Sequence, residues 1–373
     1  MFKNFFIKIK YLLRIKIRFD LPKKNFLLLY DEVHSSILKE IIKKKFNILK
    51  LRDDKEIYFF IFIKQIFLFD FTFKTYCINY IKFTSPKVVI TLNEARIEMY
   101  ELKKYFKKIS FIAVQNGIHM RYWFDSKQKL KLKLKLKNLQ CDYIFLLNKH
   151  YIPKYQKLIK SNYDTLGHFR NNFVKIKKTK FKKQFLLISQ IHNNQILHKF
   201  HTKLLYILNI YLTKKKKKLH ILLRRNKKNP LQLNEINFYK KVLKSNCIFY
   251  QSSNWKTKYK IIDKFENIVF THSTMGFEAI ARKKKVAIFP PKVIYGSRYY
   301  FGWPASYEKK NDYLCTSSLN YNNVSRVLDN VYNCSQANWN TKYYKIIKDL
   351  FYFDQNNKKL RKLILKLIKI KKI

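Results

Sequence analysis

The chain has 373 residues, of which 47% are hydrophobic and 17% aromatic, and its formal net charge is +57. This apolar content excludes an intrinsically disordered chain, and the length allows two domains of ordinary size. Because lysine carries most of the charge in a chain also rich in Asn, Ile, Phe and Tyr, the residues of A+T-rich codons, the charge says little about the partner.

The first half of the chain repeats a parallel strand that ends in a polar loop. After the basic opening, residues 1–24, which is either an amphipathic helix on a membrane surface or frayed, Asn25-FLLLY-Asp31 predicts a strand. A helix and the strand Asn47-ILKL follow, completing a βαβ unit. Open α/β sheets place ligands at the carboxyl ends of such strands, so Asp31 and His34 are candidate site residues.

Two further apolar strands of this half end in loops with titratable groups. Glu94 follows the strand Lys87-VVITL, and His119 closes the QNG turn that follows the next strand. Either residue could be a general base. The alternative is a salt bridge with a neighbouring arginine, Arg96 or Arg121.

Four stretches between these strands and the second half are less regular. Residues 57–73 are apolar but interrupted by one lysine and one aspartate, which favours a buried strand running into an amphipathic helix over a membrane span. Residues 126–139 alternate lysine and leucine and predict a loop, with an exposed strand as the alternative. Residues 149–160 predict a helix, and the charged stretch 174–183 predicts a linker.

The second half opens with the predicted strands Gln184-FLLIS-Gln190 and Leu219-HILLR-Arg225. Arg224, at the end of the latter, could reach a phosphate together with Arg225; solvent-exposed charge is the alternative. An aromatic loop, residues 295–305, carries two of the five glycines of the chain. The basic amphipathic tail, residues 346–373, suits either packing on the first domain or an anionic bilayer.

The strongest local pattern is the strand–loop–helix–strand of residues 265–289. The polar turn before the helix would present unpaired N–H groups and the positive end of the helix dipole, a seat for a phosphate or carboxylate. Gly276 is expected to let the backbone approach a ligand. Glu278 is out of register for a capping box and could accept hydrogen bonds from a ribose; the alternative is a helical pair with Arg282.

Several motifs are absent from the sequence. It contains no GxGxxG, Walker, HExxH, GxSxG or DxD motif, and the last absence argues against the Mn²⁺ or Mg²⁺ site of GT-A glycosyltransferases. The five cysteines are widely spaced without CxxC, which predicts no disulfide framework or zinc site and fits a reducing compartment. No clean signal-peptide core is found at the start of the chain.

The segment NIVFTHSTMGFEAIARKKKVAIF resembles the S-T-x-G-[FY]-E-A-[LI]-A-R-G-K-K-V motif of bacterial surface carbohydrate biosynthesis proteins. These are glycosyltransferases of lipopolysaccharide and capsule clusters, similar in pattern to capsular Kdo transferases and CDP-glycerol glycerophosphotransferases. The strings FLLLYDEVHSSILKEI, QNG, LGHFRNNF, FLLISQ, LHILLRRN and FGWP follow the family order, so the resemblance covers about residues 25–345.

The resemblance implies an α/β fold of the GT-B type, two Rossmann-like parallel-sheet domains facing a cleft. It places the donor phosphate on Ser273, Thr274 and Gly276, with Arg224 as a further phosphate ligand, and the ribose on Glu278. Asn116-Gly117 stands where related transferases have His-Gly with a catalytic histidine, so the base would be Glu94 or His119. The family glycine after Ala-Arg is replaced by Lys283, which predicts a looser turn.

These inferences predict four segments: residues 1–24, an acceptor domain at 25–175, a nucleotide-sugar donor domain at 184–345, and the tail. The expected protein is a metal-independent glycosyltransferase without a cofactor, whose partners are a nucleotide-sugar donor and a lipid-linked or polysaccharide acceptor. A cytoplasmic location is expected, with contact to the anionic inner face of the cytoplasmic membrane left open. A charge-driven nucleic-acid-binding protein and an inactive scaffold of a glycan-assembly complex are the alternatives.

Overall fold

The computed structural model describes residues 15–51, 56–67, 69–70, 72–119, 124, 126, 138–191, 194–226, 229–244, 246–291 and 313–369. The alternating stretch 126–139 lies almost entirely outside the described residues. So do the aromatic loop 295–305 and residues 1–14 of the basic opening.

The strands of the described residues pair in parallel throughout. They are β1 (Lys16–Arg18), β2 (Leu27–Tyr30), β3 (Asn47–Leu49), β4 (Glu56–Tyr58), β5 (Val88–Thr91), β6 (Ser110–Val114), β7 (Gln140–Leu146), β8 (Lys160–Thr165), β9 (Phe181–Ile188), β10 (Leu219–Leu222), β11 (Cys247–Tyr250), β12 (Phe265–Phe270) and β13 (Lys285–Ile288).

The connections between the strands are mostly helical. The α-helices are α1 (Ser35–Ile42), α2 (Phe59–Phe67), α3 (Phe73–Thr84), α4 (Ile97–Leu102), α5 (Ile152–Gln156), α6 (Phe169–Phe173), α7 (Gln195–Lys214), α8 (Gln232–Leu243), α9 (Trp255–Lys264), α10 (Thr274–Ala281), α11 (Tyr321–Asn333), α12 (Gln336–Asn338), α13 (Lys345–Ile347) and α14 (Lys358–Lys369). Short 3₁₀ turns lie at Lys103–Tyr105, Lys149–Tyr151, Lys348–Leu350 and Gln355–Asn357, and a π-helical turn at Trp339–Tyr344.

Two large sheets organise the chain. The N-terminal sheet has the strand order β3-β2-β5-β6-β7-β8, and the C-terminal sheet has the order β11-β10-β9-β12-β13. Apolar runs such as Leu27–Tyr30 are buried along their whole length, as expected for parallel strands covered by helices on both faces. The strand order reverses between β2 and β5 and again between β9 and β12, and open α/β sheets bind ligands at such points.

The end of the chain returns to the N-terminal sheet. Helix α14 buries Leu360, Ile364 and Ile368, spaced four residues apart, in the core cluster of α1, β2 and β5. Lys87 Nζ donates to the Ile368 carbonyl at 2.7 Å. Two roles were predicted for the tail. Its apolar face packs on the N-terminal sheet, which is the first of them.

Local predictions were wrong at several places. Residues 16–18 form β1, which pairs with β4, so this part of the opening is neither a helix nor frayed. The helix predicted for 149–160 is a 3₁₀ turn followed by the short α5, and β8, a half-exposed edge strand with few apolar residues, was missed. Strand β9 begins at Phe181, inside the predicted linker.

Candidate functional site

A cavity of about 400 Å³ lies between the carboxyl edges of the two large sheets. We call it the central cavity. It is lined by Asn116, His168 and Arg170 from the N-terminal side, and by Ile188, Ser189, Gln190, Leu222, Leu223, Arg224, Lys258, Tyr259, His272, Ser273, Thr274, Met275 and Glu278 from the C-terminal side. On the C-terminal side the cavity lies at the reversal of strand order between β9 and β12.

The start of α10 opens onto this cavity. Ser273 occupies the N-cap position, but its side chain makes no capping hydrogen bond. Gln190 at the end of β9 holds the preceding loop, because its Oε1 accepts from the Thr271 hydroxyl at 2.9 Å and from the His272 N–H at 3.0 Å. The helix start is thus fixed in place, with Ser273 and Thr274 facing the space where an anion would meet the positive end of the dipole.

Gly276 is explained by packing rather than by the expected ligand approach. A Cβ atom built on it would lie 2.1–2.6 Å from ring atoms of Phe270, and Gly276 does not line the central cavity. The close passage of α10 over β12 therefore requires glycine here. The expectation that this glycine brings the backbone to a ligand finds no support in this geometry.

Glu278 is paired across the cavity and not along its own helix. It is 2% exposed, and its Oε1 lies 2.9 Å from Nδ1 of His168. Burial opposes ionisation, but His168, with smaller contributions from Tyr259 and Arg170, outweighs burial and lowers the pKa of the carboxyl. The alternative partner, Arg282, is instead bound to Asp263.

Three cationic side chains face the same cavity: Arg170, Arg224 and Lys258. Arg224 projects from a turn that the buried carboxylate of Glu235 fixes by accepting the Arg224 N–H at 2.8 Å and the Arg225 N–H at 3.1 Å. Lys258 donates to the Arg224 carbonyl. Burial, and then the charges of Arg224 and Arg170, lower the pKa of Lys258 despite the opposing effect of Glu235.

Asn116 links the loops of the N-terminal edge. Its N–H donates to Glu94 Oε2 at 2.7 Å, its carbonyl accepts from His168 Nε2 at 2.9 Å, and its Oδ1 accepts from His34 Nε2 at 3.0 Å. The adjacent Gly117 lies beside Thr274, with 3.9 Å between an added Cβ and the threonine Oγ1. The QNG turn therefore touches the start of α10 from the opposite sheet.

The two candidates for the general base lie behind this turn. Glu94 is 1% exposed and is hydrogen-bonded to His119 Nε2, to the Tyr155 hydroxyl at 3.2 Å and to the Asn116 N–H. Neither Glu94 nor His119 lines the central cavity. Glu94 therefore fixes the position of the Asn116 backbone. Arg96, the proposed alternative partner of Glu94, pairs with Asp31.

Sequence reasoning gave no role to His168, Arg170 or Lys258, although the first two lie in the LGHFRNNF string. The distance of His168 and Arg170 along the chain from the α10 motif concealed them, whereas Lys258 lies on α9, directly before β12. His34 was singled out only by its place at a strand end. It now stands between Asn116 and Arg170, whose Nη2 lies 2.8 Å from His34 Nδ1.

Among the described residues, no group of three or more His, Cys, Asp or Glu side chains is arranged to hold a metal ion. Metal independence stays a prediction. The described residues also include no helix that is both long and apolar enough to cross a membrane.

Solved structures with the same architecture include carbohydrate enzymes. The S. aureus MnaA–UDP co-structure matches 94% of this chain and 99% of its own with a TM-score of 0.54 and 12% identity. The UDP-GlcNAc 2-epimerase from Neisseria meningitidis bound to UDP-GlcNAc matches 92% and 100%, with a TM-score of 0.52 and 11% identity. The two parallel sheets facing a cavity are thus those of a GT-B fold, which confirms the predicted fold class.

A family model described as "putative O-antigen biosynthesis protein" matches residues 112–368. The chain belongs to this family of O-antigen biosynthesis proteins, which confirms the resemblance to surface carbohydrate biosynthesis proteins. No curated protein matches the chain.

Proposed function

We propose that the protein is a glycosyltransferase that moves a sugar from a nucleotide diphosphate donor to a lipid-linked or polysaccharide acceptor of O-antigen assembly. The observation that carries the proposal is the charge of the central cavity. Arg170, Arg224 and Lys258 converge on the open start of α10, while Glu278, the one acidic group among the described lining residues, is paired with His168. Such a cavity is complementary to a diphosphate.

Apart from Gly276, the predicted binding residues each have a place in this proposal. Ser273, Thr274 and Arg224 bind the diphosphate, and the ribose hydroxyls donate to Glu278, which His168 keeps ionised. Asn116 and Gly117 form the opposite wall, on the acceptor side. The leaving group is stabilised by preorganised N–H groups and guanidinium charges, so the reaction needs no metal ion.

The donor site is tested by calorimetric titration with UDP, CDP, GDP and CMP. UDP is the first probe because similar folds are solved with UDP and UDP-GlcNAc. Arg224→Gln is expected to weaken binding of the best nucleotide roughly tenfold, the effect of one lost charge-assisted hydrogen bond. Arg225→Gln is the matched control, since it removes the same charge from a side chain that does not line the cavity.

If none of the four nucleotides binds, or if the two arginine variants weaken binding equally, the proposal is wrong. Release of sugar from nucleotide-sugar donors then separates a transferase from an inactive scaffold. The scaffold binds the nucleotide and releases no sugar above the uncatalysed rate.

We further propose that the enzyme works in the cytoplasm on the inner face of the membrane, and that the turn between α2 and α3 makes the contact. The end of helix α2 exposes apolar rings, because Gln65 is 1% exposed whereas Phe67 and, just beyond the helix, Phe69 are 78% and 88% exposed. Lys64, beside these rings, is exposed and suited to anionic headgroups, whereas the amine of Lys74 is paired with Glu101. The exposed basic face of α14 adds electrostatic attraction to anionic headgroups without inserting side chains into the membrane.

Co-sedimentation with vesicles of phosphatidylglycerol and phosphatidylcholine tests this contact. The double variant Phe67→Ser, Phe69→Ser is expected to bind at least about tenfold more weakly, since two rings leave the interface. Phe26→Ser removes another exposed ring, 62% exposed, that precedes β2, and this variant should bind as the wild type does. Equal binding by all three proteins would assign any membrane affinity to charge alone.

A further inference from the structure

His34 holds an unusual position at the carboxyl edge of the N-terminal sheet. It follows β2, at the reversal of strand order between β2 and β5, and it is the N-cap residue of α1 with φ 66° and ψ 21°. This left-handed conformation is uncommon for a residue other than glycine, and such strain is concentrated at functional sites. The position of His34 is thus imposed by its surroundings and not by local preference.

The hydrogen bonds of His34 define its tautomer. Asn116 Oδ1 is an acceptor, so the proton lies on Nε2, 3.0 Å away. Arg170 can only donate, and its Nη2 lies 2.8 Å from Nδ1 and 3.2 Å from Nε2, so the guanidinium faces the lone pair of the nearer nitrogen, Nδ1. The imidazole is therefore neutral and oriented. His34 does not itself line the central cavity; its one basic nitrogen is covered by Arg170, which does.

Burial, together with the charges that face His34, keeps it neutral. Burial, Arg170 and His168 lower the pKa of His34 to about 3, against the smaller opposing effects of the Asn116 hydrogen bond and Asp31. Since the guanidinium is one of these causes, moving it away raises the basicity of the ring. Its displacement therefore both frees the lone pair and strengthens the base.

Arg170 has a reason to move toward a ligand. Its Nε is buried and has no hydrogen-bond partner among the described residues, although its Nη2 contacts His34. A buried donor without an acceptor is costly, and a phosphate that accepts from the guanidinium fork would satisfy it.

We propose that His34 is the general base of the transfer reaction, that Asn116 orients it, and that the donor diphosphate exposes it by drawing Arg170 away. This inference rests on the proposed function. The arrangement follows the logic of a catalytic triad, in which a third group fixes the tautomer of the base. It also explains how a chain with asparagine at position 116 can work without a histidine there.

The reaction step balances as a single displacement. The acceptor hydroxyl loses its proton to Nδ1 of His34 as its oxygen forms a bond to the anomeric carbon of the sugar. The bond between that carbon and the diphosphate oxygen breaks, and the leaving nucleoside diphosphate carries away the electron pair next to Arg170 and the start of α10. The proton on Nε2 stays in place, held by Asn116.

The first test follows the imidazole directly. In protein with carbon-13-labelled histidine, the His34 signal, assigned with His34→Gln, is titrated with pH with and without saturating UDP. We expect UDP to raise the pKa of His34 by about one unit or more, and Arg170→Met to raise it without UDP. If UDP binds and the pKa of His34 stays the same, this inference fails and the proposed donor site stands. If UDP and the other three nucleotides do not bind, the proposed function itself fails.

The second test uses sugar release from the donor that turns over fastest. His34→Gln should lower kcat by roughly 10²–10⁴-fold, the usual contribution of a general base, with UDP affinity within about threefold of wild type. His198→Gln, on the exposed side of α7, should leave both unchanged. An undiminished kcat in His34→Gln overturns the proposal. A loss of UDP affinity together with kcat would assign His34 a structural role and overturn it equally.

Discussion

The two edges of the central cavity are built differently. On the C-terminal edge, α10 and the turn after β10 are rigidly held by Gln190 and Glu235, and they present fixed N–H groups and cations. On the N-terminal edge, Asn116 links two histidines, because its side-chain Oδ1 accepts from His34 and its backbone carbonyl accepts from His168. The first edge is suited to hold an anion, and the second carries the titratable side chains next to it.

The contact between Glu278 and His168 joins the two edges. It should make the largest single contribution to the free energy of unfolding, because both side chains are buried. Removing one partner of a buried ion pair typically costs about 3–5 kcal/mol, since the other charge is left uncompensated. We expect Glu278→Gln to lower the free energy of unfolding in urea by roughly this amount. His168→Gln should cost a similar amount, and the double variant less than the sum of the two.

A second bridge between the same halves provides the control. Lys256 Nζ lies 2.7 Å from Glu40 Oε2, with both side chains 43% exposed. Exposed pairs contribute about 0–1 kcal/mol, so Glu40→Gln should change stability little. If both glutamate variants cost the same, the buried pair does not join the two edges as described.

The buried pair also has a predicted pH dependence. Because the pKa of Glu278 is lowered in the folded protein, its contribution is present above the unfolded pKa of about 4.5 and is lost as pH falls through the folded value. The stability advantage of wild type over Glu278→Gln should therefore shrink as the pH falls below about 4.5. A difference that grows on acidification would contradict the ionised state of Glu278.

Gly276 and Gly117 give a smaller and sharper comparison. Gly276→Ala places a methyl group against the buried Phe270 ring and should cost about 1–3 kcal/mol, the usual penalty of overpacking. Gly117→Ala meets Thr274 Oγ1 at 3.9 Å, an ordinary contact, and should cost less than about 0.5 kcal/mol. Thermal unfolding of the two variants, measured side by side, checks the difference.

Much of the C-terminal edge could be predicted because one contiguous stretch encodes it. The apolar run of β12, the polar turn and the apolar spacing of α10 follow one another within residues 265–281, so periodicity alone places Ser273 and Thr274 at a helix start. The partner of Glu278 could not be found this way. Helical spacing suggests Arg282 as the partner. In the structure Glu278 pairs with His168, which is 110 residues away, and Arg282 pairs with Asp263.

The N-terminal edge could be predicted from the sequence only in part. His34, Asn116 and Arg170 come from three loops, and only the strand order of the sheet brings them together. Position at a strand end made His34 a candidate, yet nothing local indicated that Arg170 would contact its ring. The edge strand β8 was also hard to predict, because it is polar and half-exposed and shows no apolar run.

The turn after α10 allows the most modest prediction. Lys283 stands where the resembled family has glycine, and it adopts φ 60°, so the turn keeps the left-handed geometry that glycine favours and is not loosened. A side chain in this conformation costs about 1–2 kcal/mol, part of which is offset by the greater freedom of glycine in the unfolded chain. Lys283→Gly should therefore raise the free energy of unfolding by about 1 kcal/mol. Lys283→Ala, which removes the same charge but keeps a Cβ, should gain nothing, and equal effects of the two changes would attribute the gain to charge.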